Sequence, residues 1–392
     1  MDDLTEEPEY LSGGPPERLS SPWWSAIRVP WLGLIAVALA AFGGYWAGAA
    51  HNSSQQAEGL GEVVAVPGGH PSGEGFGSGS IWVTTWSLQG GIGPGQPANP
   101  EPGDLIRYDP ATRQVLAMIV VGVGPVAAQP GFGSLWVTNA VDGTVSRIDP
   151  SSNDVVATIP VGPTPYQIAP AGGGMWVANQ AAAVKIDPAT NTVVRRSPYP
   201  HPPGAPPSTA GVGLDANAHG VWVSTAFGTV LRLRPSDGRR IDKIPVQPVP
   251  RSSPGMVAID GNDVWVSSYP TTGGSGPEAG AEQYGPSNHL VDISAATGNI
   301  IARVPTGGYP VESFLPHHGT LLMVGVDYAD HTSELMRTDW PYRVVTYARP
   351  LGGSSFDVVD THGYLWIPSW YDCTLQILPN SVALPNNSHP GG

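Results

Sequence analysis

A tryptophan that returns about every forty residues, each time between an apolar and a β-branched neighbour, constrains this chain more than any other feature. The positions are Ile81-Trp82-Val83, Leu135-Trp136-Val137, Met175-Trp176-Val177, Val221-Trp222-Val223, Val264-Trp265-Val266, Leu321-Leu322-Met323 and Leu365-Trp366-Ile367, with Leu322 replacing the ring in the sixth. A short apolar strand precedes each, as in Val212-Gly213-Leu214 or Val257-Ala258-Ile259. A third strand follows and ends in a turn, as in Ile148-Asp149-Pro150, and a fourth comes after it, as in Val155-Val156-Ala157-Thr158-Ile159. Asp then Pro suits a type I turn, because Asp caps the first position and Pro presets φ at the second.

Four short Val- and Ile-rich strands per repeat make one antiparallel blade. Blades stacked face to face cover both sides of every sheet, and a flat indole fills the space between neighbours. The predicted fold is all-β: a seven-bladed β-propeller of four-stranded antiparallel blades over 62–385, preceded by one N-terminal transmembrane helix. Six blades is the alternative, because the repeat from Tyr309 to Gly352 is the least regular. Val63-Val64-Ala65-Val66 reads as a fourth strand without a repeat of its own, and the last repeat stops after its third strand. The N-terminal strand is therefore expected to complete the last blade, with Val382-Ala383-Leu384 as its rival.

The rest of the composition agrees. With 51 Gly and 43 Pro in 392 residues, turns are frequent, while 41% apolar residues exclude a disordered chain. A net charge of −14 argues against a nucleic-acid partner. One cysteine, Cys373, precludes an internal disulfide.

Residues 1–28 are acidic and Gly/Pro-interrupted, which predicts a disordered cytoplasmic tail. Residues 29–50 carry no charged side chain and match the roughly 20 residues a bilayer-spanning helix needs. Arg18 and Arg28 precede the segment and the next basic residue is Arg107, which places the N-terminus in the cytoplasm and the propeller outside. Ala47-Gly48-Ala49 leaves a cleaved signal peptide as the competing reading. Residues 51–61 form a polar linker, and 386–392 a disordered tail.

Leu135-Trp136-Val137-Thr138-Asn139, Thr144-Val145-Ser146-Arg147-Ile148-Asp149 and Val155-Val156-Ala157-Thr158-Ile159-Pro160-Val161-Gly162 resemble the YVTN-type β-propeller repeat family. The chain is also similar to streptogramin (virginiamycin B) lyase and NHL-like propellers. The resemblance implies the fold, and it implies function only weakly. Lyases of that type use a metal held by Glu and His. Three residues after each repeat tryptophan, or after Leu322, this chain has Thr85, Asn139, Asn179, Thr225, Ser268, Gly325 and Ser369, none of them an acid or imidazole.

Long second-to-third-strand loops at Ser87–Gly103 and Pro270–Asn288 swell one face. That face gains Trp86, Tyr269, Trp370 and Tyr371, with Asn139, Asn179 and Asp327 at nearby strand ends. Rings beside amide and carboxylate groups suit a sugar or peptide; plugging of the channel mouth is the structural alternative. His219, His318 and His362 precede glycines in turns on the opposite face, and Asp215, Asp260 and Asp360 read as turn formers. Cys373 has no basic neighbour in sequence and reads as an inert thiol. Glu312 and Asp357, on first strands of adjacent blades, form the candidate acid–base pair. No metal or cofactor motif is present. The expected function is a membrane-anchored extracytoplasmic binding or scaffold module for a protein or cell-envelope polymer. A lyase or hydrolase acting at the channel mouth is the alternative.

Overall fold

The computed structural model describes residues 61–87, 101–200, 213–225, 228–246, 252–270, 289–306, 311–317, 320–327, 332–339, 345–351, 353, 355 and 357–380. The chain divides into two units, Met1–Asn52 and Ser53–Gly392, and all of these residues belong to the second. The acidic tail, the apolar segment at 29–50, most of both long loops, His318 and Val382-Ala383-Leu384 lie outside the described residues. Among the described residues no helix is long and apolar enough to cross a membrane.

Seven four-stranded antiparallel sheets account for the strands, so the six-blade alternative falls. Blade 1 runs from its inner strand His70–Gly77 through Ser80–Trp86 and Asp104–Tyr108 to its outer strand Val115–Val120. The next five blades repeat that order. Blade 7 takes Val359–Thr361, Tyr364–Ser369 and Thr374–Pro379 from the end of the repeat region, and its outer strand is Glu62–Ala65. Val64 sits opposite Leu375 in that pairing, and the Val66 amide donates to the Cys373 carbonyl at 2.8 Å. The predicted closing strand is therefore the one observed.

The core is not one central mass. It is divided into seven apolar clusters, each lying between two consecutive blades. The repeat tryptophan always packs towards the following blade: Trp136 of blade 2 meets Met175 and Val177 of blade 3, and Trp366 of blade 7 meets Ile81 and Val83 of blade 1. Leu322 occupies the same slot between blades 6 and 7 and is fully buried.

A cation stands opposite the ring in the first four blades. Trp82 pairs across the sheet with Arg107, Trp136 with Arg147, Trp176 with Lys185 and Trp222 with Arg232. The guanidinium carbons of Arg107 and Arg147 both lie 4.9 Å from their ring centroids. Each then reaches the turn of the next blade: Arg107 donates to the Pro150 carbonyl at 2.7 Å and to Asn153 Oδ1 at 2.9 Å. Arg147 does the same with Pro188 and Asn191. The cation thus caps the indole on one side and fastens the neighbouring blade on the other, a cation–π contact coupled to charge-assisted hydrogen bonds.

The fastened turns explain the Asp-Pro wording. Asp109 Oδ1 accepts the amides of Ala111 and Thr112, and Asp149 Oδ1 that of Ser151. Four residues after the Asp the chain turns left-handed, at Arg113, Asn153 and Asn191. Asn tolerates that conformation, whereas at Arg113 the side chain is held by Glu62 at 2.8 Å and by the Tyr364 ring, both in blade 7. The same turn therefore also clips the closing strand.

Candidate functional site at the channel and its mouth

Second strands end on the mouth face, where the long loops begin. At the blade 7–blade 1 junction that face carries a cluster of rings. Trp370 stacks on His70 with centroids 5.1 Å apart and planes 15° apart, and meets Trp86 edge-on at 5.8 Å. Trp86 is buried, its indole N–H donating to the Pro125 carbonyl at 2.6 Å, so it anchors the cluster from beneath. Trp370 is half-buried, and Tyr371 beside it is 40% exposed. His70 was not expected here. Its Nδ1 lies 2.8 Å from the Trp370 carbonyl and 3.4 Å from Cys373 Sγ, across 303 positions of sequence. A carbonyl can only accept, so Nδ1 carries the proton and does not draw one from the thiol. Burial, and then the Asp372 charge, push the Cys373 thiol up. The expectation of no basic neighbour does not hold in space, where His70 stands beside the thiol.

The two predicted amides have internal partners. Asn139 is fully buried; its Oδ1 accepts the Gly122 amide, and its Nδ2 donates to Thr144 and Ser146, each at 3.0 Å. Asn179 donates to the Val161 carbonyl at 2.8 Å and accepts from the amides of Ala181 and Ala182. Each ties the loop leaving the preceding blade to its own second strand. The side chains of Tyr269 and Asp327 lie outside the described residues; the backbones are paired with Ser253 and Thr332.

Within the channel, inner strands carry register breaks near their mouth-side ends. The breaks fall at Pro71/Gly73, Pro125/Ala128, Pro254/Val257 and Val311/Ser313. A bulge re-aims the extra residue, and here the extra residues are Ser72, Val126-Ala127, Gly255-Met256 and Glu312. The second strands supply the hydroxyls that fasten them. Thr138 Oγ1 accepts the Ala127 amide at 3.1 Å and donates to the Tyr166 carbonyl of blade 3 at 2.7 Å. Thr84 donates to Val126 of blade 2, and Ser224 to Gly255 of blade 5, in the same way. These hydroxyls stand two residues after the tryptophan, a recurrence that could have been seen in the sequence.

The expected Glu312–Asp357 pair is arranged otherwise. The strand register shifts between Val311 and Ser313, and it is Ser313 that donates to Asp357 Oδ1, at 2.8 Å. The pKa of the Tyr166 phenol of blade 3 is raised by burial first and by the Glu312 charge second. The acid beside Asp357 is Glu74, whose backbone amide donates to Asp357 Oδ2 at 3.2 Å. Burial, then the Asp357 charge, hold the Glu74 carboxyl well above the usual carboxylate range. Burial likewise raises Asp357, opposed by its donors from Ser313, Glu74 and Val358.

Asp215 also departs from expectation. It is not a turn former: its Oδ2 accepts the Ile259 amide of blade 5 at 2.9 Å, and the turn that follows is capped by Asn217. Burial raises its carboxyl from an ordinary 3.8 to about 6, against two backbone donors. Because the folded value lies above the unfolded one, the native state binds more protons between those pH values, and stability falls as pH rises through them. Thermal unfolding should accordingly give a higher Tm at pH 4.5 than at pH 7. Asp215→Asn should remove part of that slope, on the order of 1–2 kcal/mol after allowance for the partial exposure of the group. An unchanged slope in the variant would reject the assignment to Asp215.

No family model and no curated protein matches the chain. Among solved structures it is similar to hydrazine synthase of Kuenenia stuttgartiensis, with a TM-score of 0.61 and 17% identity over 81% of this chain and 98% of that one. The WD40 domain of Neurospora crassa Pan2 gives a TM-score of 0.58 and 11% identity over 82% and 94%. The computationally designed Ika8 protein gives 0.52 and 11% over 81% and 99%. At such identities the likeness is one of fold, and what it establishes for this chain is the seven-bladed β-propeller.

Proposed function

We propose that this chain is a membrane-anchored extracytoplasmic scaffold that binds a protein or cell-envelope polymer at the mouth of the ring, over the blade 7–blade 1 junction. The observation carrying this reading is the ring cluster. Trp370 is stacked on His70 and braced by buried Trp86, with Tyr371 exposed beside it. An aromatic surface already fixed in place loses little side-chain entropy on binding and suits stacking against a sugar ring or a flat peptide segment. The apolar segment at 29–50 supplies the anchor, and the lack of basic residues between Arg28 and Arg107 supports its orientation. The YVTN-like wording of the repeats agrees with a propeller that presents a surface.

The full chain in detergent, incubated with solubilised envelope material, tests this. Trp370→Ala combined with Tyr371→Ala should lower recovery of the bound fraction about tenfold, in keeping with loss of one or two aromatic anchors. The near-UV spectrum of the propeller should be otherwise retained. Undiminished recovery by the double variant would overturn the reading.

A further inference from the structure

The channel end of the same junction holds an acid whose surroundings do not account for it. Glu74 is 8% exposed, and both of its carboxylate oxygens are buried without a hydrogen-bond partner. Its direction follows from its neighbours. A Cβ on Gly73 would run into the Val126 carbonyl, and one on Gly75 into the Ala128 carbonyl, so no side chain fits on the blade 2 side. Strand alternation then sends Glu74 the other way, towards blade 7 and Asp357. Asp357 Oδ1 is occupied by Ser313 Oγ at 2.8 Å and the Val358 amide at 2.9 Å, while Oδ2 accepts only the Glu74 amide, at 3.2 Å.

A buried carboxyl beside a half-buried one needs a compensating charge or proton. The ion pairs among the described residues lie elsewhere, on Glu62, Asp242 and Asp237. A proton shared between the two carboxyls would require them to be hydrogen-bonded, and they are not; a proton on Glu74 alone would leave a buried O–H without an acceptor. A hard divalent cation meets both needs. With metal–oxygen distances of about 2.3–2.6 Å it links oxygens up to about 5 Å apart, beyond the reach of a hydrogen bond.

We propose that Glu74 and Asp357 bind a calcium-class divalent cation between the inner strands of blades 7 and 1. Among the described residues no group of three His, Cys, Asp or Glu could hold a metal, so backbone carbonyls and water complete the shell. Such a site is weak, with a Kd on the order of 10⁻⁴–10⁻³ M, the range of extracellular calcium modules. Partly exposed Asp357 forms its open side. The cation neutralises a repulsive pair at the junction where the two ends of the ring meet. The inference does not depend on ligand binding at the mouth.

The test is calorimetric titration of chelator-treated full chain with CaCl₂ at constant ionic strength, with thermal unfolding alongside. One cation should bind per chain, and Tm should rise by about 3 °C at tenfold excess over Kd. Glu74→Gln and Asp357→Asn should each abolish both the heat and the Tm rise. Without calcium, Glu74→Gln should melt no lower than the parent, because the repulsive pair is gone. Absence of binding by the parent up to 10-fold above about 1 mM calcium, or full binding by either variant, would overturn the proposal. If one variant fails to fold, the parent titration and the other variant still decide it.

Discussion

Trp136→Ala is expected to destabilise the propeller by about 3–5 kcal/mol, a large part of a typical folding margin. The indole is fully buried between blades 2 and 3, its N–H donates to the Gly131 carbonyl at 2.9 Å, and Arg147 lies over its face. Removing it opens a cavity against Met175, Val177 and Ile186 and strips the platform from the cation that fastens the blade 3 turn. Trp136→Leu should cost less, because Leu322 fills the equivalent slot in blade 6 without exposure. Denaturant midpoints compare the two variants with Val156→Ala, which alters a side chain 51% exposed on an outer strand. A Trp136→Ala midpoint near that of Val156→Ala would mean that the inter-blade slot does not hold the fold.

The second large effect concerns closure of the ring. A chain beginning at Pro67 lacks Glu62–Ala65 and Val66, and so loses the outer strand of blade 7. Strand Thr374–Pro379 would then present an unpaired edge, and the cluster containing Val66, Trp366 and Ile377 would lose its cover. Loss of about four net hydrogen bonds together with Val66 burial should cost about 4–6 kcal/mol relative to a chain beginning at Ser53. The open edge should also promote self-association. Thermal melts and light scattering of the two chains measure both consequences. Equal Tm values would show that closure by the N-terminal strand contributes nothing to stability.

How much was legible beforehand varied with how local the cause was. Trp82, Trp136 and their counterparts announced the blades because the slot between neighbouring sheets demands one large flat side chain at one place in every repeat. The Asp109 and Asp149 turns were readable because Asx capping involves residues only two or three apart. The channel was less legible. The bulge at Val311/Ser313 leaves Ser313 as the residue bonded to Asp357, and no sequence pattern announces a single inserted residue in a strand. Glu74 was overlooked although Gly73-Glu74-Gly75 gave a clue: glycines on alternate positions mark one side as closed, and leave the acid to face the other. Asn139 and Asn179 looked like ligand contacts, but their amides secure inter-blade loops.

By itself, the amino-acid order determined the propeller architecture and the strand sequence within each blade, because each follows from a short pattern that repeats; the choice of seven blades over six, and of Glu62–Ala65 as the closing strand, came from the structure. Only the tertiary structure decided which side chains meet where the ends join. His70 against Trp370 and Cys373, and Glu74 against Asp357, are separated by about 300 residues, and only ring closure places them in contact. Local pattern specifies a sheet, whereas chemistry at a junction depends on the packing of two sheets that the chain visits first and last.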